Sequence, residues 1–135
     1  MDFRDRIHAS FDRQVFMRRI GATLDRVEAG EVEISLPFAA DLVQHTGVLH
    51  AGVVTALVDT ACGYAAYTMM AEHEEVLSIE FKMNFLRPAS GERFVAVGRV
   101  VKAGSTIIAT QGDVFAQAGA VRDHVAMMVA TMIRR

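Results

Sequence analysis

From Ala51 to Ala71 apolar residues follow one another almost without interruption, and Asp59 is the only formal charge in the run. Val53, Val54, Leu57, Val58, Ala61, Tyr64, Ala65 and Ala66 cover nearly every side of a helix over about 50–70. A helix apolar all round is one that the rest of the protein wraps. Upstream, Phe3, Ile7, Phe11 and Val15 recur every four residues among charged neighbours, which predicts an amphipathic outer helix over about 3–19, ended by Gly21. Residues 22–28 read as a short strand, and Val32, Ile34 and Leu36 alternate with Glu31, Glu33 and Ser35 in a second strand closed by Pro37. Residues 38–49 form a loop before the apolar helix.

Beyond that helix the period drops to two. Leu77, Ile79, Phe81, Met83 and Phe85 fall on one face of a strand, with Ser78, Glu80, Lys82 and Asn84 on the other. Three more strands are expected over 92–101, 106–117 and 120–133, with turns at 102–105 and 118–119 and a bulge at Gly112. Turns this short make the later strands antiparallel neighbours. One sheet buries such a helix only by curling around it, and a second copy covers what remains. The expected class is α+β, a curved antiparallel sheet around one long central helix with an extra N-terminal helix.

Length and composition narrow the function. The 135 residues suit one domain over 1–135, with no linker or repeat. A hydrophobic content of 52% is high for a soluble monomer, and the excess reads as subunit contact surface. A net charge of -2 with scattered signs excludes a chain built to hold nucleic acid. The apolar run has the length of a membrane span, but Asp59 near its centre and Thr55, Thr60, Gly63 and Thr68 argue against membrane insertion. The charged N-terminus is unlike a signal peptide, and the lone Cys62 reads as a buried hydrophobe, so a cytoplasmic setting is expected. The five histidines show no metal-ligand spacing, and no metal is expected.

Asp59 demands a reason, because a carboxylate among apolar groups is either paired for structure, with Thr55, Thr60 or a partner chain, or kept for chemistry as a general base or nucleophile. At the helix start, the N–H groups of Ala51 and Gly52 lack intrahelical acceptors and carry the positive end of the dipole. Small side chains there either pack tightly or let a reacting carbonyl approach.

The order of elements, the segment Gly47-Val48-Leu49-His50-Ala51-Gly52, Asp59 nine residues after the histidine, and Asn84-Phe85-Leu86-Arg87-Pro88-Ala89 together resemble the hotdog-fold acyl-CoA thioesterases, most closely the phenylacetate-pathway (PaaI-like) branch. The similarity runs from about residue 20 to the C-terminus. It implies a hydrolase of small or medium acyl-CoA or aryl-CoA thioesters, with no cofactor beyond the coenzyme A of its substrate, with Asp59 as the catalytic carboxylate and the Ala51 N–H as oxyanion donor. Gln44 takes the place of a family asparagine that orients water or the carbonyl, and Ser78 that of a residue holding the water. His50 shapes the helix start, while Gly52, His45, Arg87, Lys102 and Ser105 are candidates for substrate contact.

Ala51 and Asp59 lie eight residues apart on one helix, roughly 12 Å. If they act together they come from different subunits, with two central helices antiparallel. A homodimer, pairing further into a dimer of dimers as the family commonly does, is therefore expected. The rival readings are a non-catalytic acyl-CoA-binding or regulatory protein and an enoyl-CoA hydratase using an aspartate–histidine pair.

Overall fold

Phe3, Ile7 and Phe11 form one face of a helix, α1 (Phe3–Asp12), but the helix does not run on to residue 19. In the computed structural model, which describes residues 1–135, Gln14 is extended (φ -80°, ψ 93°) and a second short helix, α2 (Val15–Arg19), starts after it. The break turns the buried face. Met17 and Ile20 enter the core, whereas Val15, expected on the apolar stripe, is 69% exposed.

The strands are β1 (Thr23–Glu28), β2 (Glu31–Pro37), β3 (Val76–Phe85), β4 (Arg93–Ala103), β5 (Ile107–Ala118) and β6 (Val121–Arg134), with the central helix α3 (Ala51–Tyr67) between β2 and β3. They form one six-stranded sheet in the order β1-β2-β4-β5-β6-β3, every pairing antiparallel. This is the hotdog arrangement that the resemblance implies. Lys102 and Ala103, expected in a turn, still belong to β4, and the chain turns only from Gly104. No helix is long and apolar enough to cross a membrane.

The sheet holds α3 against β2, β4 and β5. Its closest approach is over two glycines. A Cβ at Gly98 would lie 2.4 Å from the Ala61 carbonyl carbon, and one at Gly112 would lie 2.5 Å from Val58 Cγ2. Gly112 is thus not the expected bulge. It pairs regularly with Gly98 and Met128, and its missing side chain makes room for the helix.

A bulge does occur in β3, between Ser78 and Glu80, and it changes which residues share a face. Side chains directly opposite across a sheet point the same way. Ser78 pairs with Met132, Phe81 with Ala130 and Met83 with Met128, all buried partners on the helix side. Glu80 pairs with Thr131 and bonds its hydroxyl on the other side. Ser78, expected among the polar residues, therefore faces the helix with Phe81 and Met83, because the extra residue Ile79 resets the alternation.

One chain does not finish the wrapping. Val54, Leu57, Val58, Ala61, Cys62 and Ala65 are buried, but Ala51 and Gly52 are exposed and Thr55, Ala56, Asp59, Thr60 and Gly63 only half-buried. At the β3 edge of the sheet, Leu77, Ile79, Phe81 and Phe85 are 44–52% exposed. A long, apolar, unpaired edge is a template for a further strand.

Candidate active site

The start of α3 is capped by His50, whose own backbone is extended. Its Nδ1 accepts the Gly52 N–H at 2.8 Å, which fixes the ring tautomer with the proton on Nε2. A Cβ on Gly52 would lie 2.9 Å from that Nδ1, so the cap depends on glycine here. Gly52 has thereby given away its N–H. The Ala51 N–H makes no hydrogen bond within the chain. It is the free donor at the positive end of the helix.

That donor opens on a cleft of about 370 Å³ lined mainly by apolar groups, among them Val48, Val54, Phe85, Pro88 and Val125, with Gln44 and Arg87 as its polar members. The loop before the helix is held by Leu49 N–H donating to the Ala89 carbonyl and His50 N–H to that of Leu42. Gln44 sits in a tight turn of this loop. Its Oε1 accepts the Thr46 N–H at 2.7 Å and its Nε2 donates to the Thr46 hydroxyl, leaving the second amide hydrogen free. Arg87 stands at an exposed margin, 3.5 Å from Asp123.

Asp59 lies in a different cleft, of about 330 Å³, with Gln14, Thr60, Gly63, Tyr64, Val76, Leu77 and Ser78. Its Oδ1 accepts the Ser78 hydroxyl at 2.7 Å, and the bulge in β3 is what aims that hydroxyl at the helix. Thr55 bonds the Ala51 carbonyl instead of the carboxylate. The second carboxylate oxygen is unpartnered in the chain. Asp59 is half-buried and faces open space, an arrangement suited to receiving a proton from water or attacking a carbonyl.

No residue lines both clefts. The eight-residue spacing on α3 separates acid and donor by roughly 12 Å, and a thioester carbon cannot touch both. His45 is exposed and lines neither cleft, and neither do Lys102 and Ser105. The last two lie past the C-terminal end of α3, since Val100 is tied to Gly30 and Gly30 to Thr68 beside the helix end. The sequence pattern did not point to Gln14, Gly63 or Tyr64 as cleft residues. Gly63 was the available signal, because a glycine inside a helix is unfavourable unless something needs the space. Cys62 is buried beside Thr110, and burial pushes its thiol up to about 12, which keeps it a protonated core residue.

Residues 46–122 match the Thioesterase superfamily. The chain is similar to a solved thioesterase family protein from Silicibacter pomeroyi, 40% identical, with 98% of this chain and 97% of that one superposed at a TM-score of 0.96. It is 25% identical over 107 residues to the medium/long-chain acyl-CoA thioesterase YigI of Escherichia coli, covering 68% of this chain and 69% of that protein. A candidate esterase of Saccharolobus solfataricus is 32% identical over 85 residues, 63% of this chain, and the match spans 60% of that protein's length. The PaaI protein of the E. coli phenylacetic acid degradation operon shares the fold, with a TM-score of 0.87 over 99% of this chain and 94% of that one at 17% identity.

Proposed function

The chain belongs to the Thioesterase superfamily, and from that membership we propose that it hydrolyses acyl-CoA thioesters at two equivalent sites of a homodimer. Each site combines the Asp59 cleft of one subunit with the Ala51 cleft of its partner. The observation that carries this reading is the division of labour along α3. The free acid and the free N–H donor occupy separate clefts, and the half-buried helix face between them adjoins the unpaired β3 edge. Antiparallel pairing of two such helices by a two-fold axis sets each acid against the other chain's donor.

In that arrangement the Asp59 oxygen not bonded to Ser78 takes a proton from water as the water attacks the thioester carbon, or attacks the carbon itself. Negative charge gathers on the carbonyl oxygen, where the partner's Ala51 N–H and helix dipole meet it without reorganising. When Asp59 acts as base, the carbon–sulfur bond then breaks, the thiolate takes the proton from Asp59 and the free acid remains. When Asp59 attacks, coenzyme A leaves as the thiolate and an acyl–Asp59 anhydride forms, which water hydrolyses to the free acid and the carboxylate, the released proton going to the thiolate. Ser78 holds Asp59 in place, and Gln44, which lines the Ala51 cleft, binds the carbonyl or the water through its free amide hydrogen. Arg87 is the cation of this set nearest the reacting end for a coenzyme A phosphate.

The test is release of free thiol from a panel of acyl- and aryl-CoA substrates by the purified protein and by Asp59→Asn. Thiol release separates hydrolysis from binding without turnover and from hydration of a double bond. We expect turnover by the native chain and loss of roughly a hundredfold or more in the variant, the scale of a missing general base. Full activity in Asp59→Asn contradicts the assignment.

A further inference from the structure

We propose that the hydrogen bond between Gln14 and Tyr64 is the end-stop of the acyl-binding cleft, so that this chain prefers short acyl groups to long alkyl chains. The inference rests on the thioesterase reading of Asp59 and adds to it the residues that set substrate length.

The Asp59 cleft does not end in bulk protein. A second cleft of about 250 Å³, lined by Ser10, Arg13, Gln14, Tyr64, Tyr67, Glu75 and Val76, shares three of its residues, Gln14, Tyr64 and Val76. What divides the two is a small polar cluster. Gln14 Nε2–H donates to the Tyr64 hydroxyl at 2.9 Å, and the Ser10 hydroxyl is 3.0 Å from the same oxygen. The break between α1 and α2 is what brings Gln14 to this point, because its extended backbone interrupts the helix there.

The cleft floor supports the same assignment. Gly63 lies one turn beyond Asp59 on the same helix face. A Cβ there would meet nothing within 4 Å, unlike those at Gly98 and Gly112. No neighbour in the chain demands this glycine, although glycine disfavours a helix interior, and the room it leaves opens on the Asp59 cleft. The coenzyme A arm is long and ends in phosphates, so it must lead to solvent past a cation. The other cleft, with Arg87 at its exposed margin, offers that exit. A cleft closed by an uncharged hydrogen-bonded pair suits the acyl end.

The experiment compares kcat/KM for saturated acyl-CoAs from butanoyl to hexadecanoyl between the native chain, Gln14→Ala and Tyr64→Phe. The native rate is expected to fall once the chain outgrows the Asp59 cleft. Gln14→Ala joins the two clefts and moves the optimum to longer chains. A methylene buried against apolar surface is worth roughly fourfold and less beside Arg13 and Glu75 of the second cleft, so over the eight added methylenes the dodecanoyl-to-butanoyl ratio should rise by about tenfold. Tyr64→Phe keeps the ring but loses the bond, and moves the ratio the same way by less; it carries the test if Gln14→Ala fails to fold. An unchanged ratio in a folded variant that still turns over butanoyl-CoA, or a native preference for hexadecanoyl-CoA, overturns the end-stop alone. Absence of thiol release from every substrate by the native chain defeats the hydrolase reading itself, and the end-stop with it.

Discussion

A backbone N–H survives every side-chain substitution except one. Proline removes it, and the first position of a helix is where proline is tolerated best. Ala51 holds that position in α3, so Ala51→Pro should fold with near-native stability yet lose about a hundredfold or more in kcat, the usual consequence of a missing oxyanion donor. Thermal melting and thiol release measured together check both halves. Ser78→Ala leaves the Asp59 carboxylate in place but removes its one hydrogen bond. A loss of about 1–2 kcal/mol of positioning, roughly five- to thirtyfold in kcat, is expected with little change in KM. The thiol of Cys62 bears on the assay as well. Burial holds its pKa at about 12 in the folded chain, above the ordinary 9.0 of a free thiol, so the native protein should not react with a thiol reagent at pH 8, and labelling should appear only on unfolding. The same shift ties stability to pH. The unfolded chain loses this proton first, so the contribution is complete below about pH 9 and falls as pH rises toward about 12.

At the scale of elements, the glycines under α3 make a direct prediction. Gly98→Ala forces a methyl against the Ala61 backbone and should cost about 1–3 kcal/mol or more in a denaturant titration, as overpacking does. The central helix was legible to within three residues at its C-terminal end, because an apolar run without charge has few other ways to fold. Short turns between alternating segments set the pairing of β4 with β5 and of β5 with β6, but not the place of β3, which lies at the sheet edge against β6. What escaped were features decided by contacts distant in sequence. The β3 bulge arises in the pairing with β6 and moves Ser78 to the helix side, although Leu77, Ile79 and Phe81 alternate without a flaw. Gln14 at the helix break hydrogen-bonds Tyr64, fifty residues away, and no local pattern announces it. Glycine in a strand carries two meanings, bulge or close approach, and only the helix above Gly112 decides between them.

For the whole molecule, the proposed shared site ties the exposed apolar surface to the chemistry. Asp59 and the Ala51 N–H stand in separate clefts of one chain, and the β3 edge beside them keeps large apolar side chains exposed. Ile79→Lys places a charge on that edge, which is how proteins block strand addition. It should yield monomers in sedimentation and little thiol release. The most direct test is complementation between two inactive subunits. Asp59→Asn and Ala51→Pro chains, given different affinity tags, are co-expressed and purified through both tags. Each heterodimer then holds one site with an intact acid from one chain and an intact donor from the other, and one site lacking both. Shared sites predict recovery of about half the native rate per dimer, whereas a mixture no more active than its two parents would contradict them.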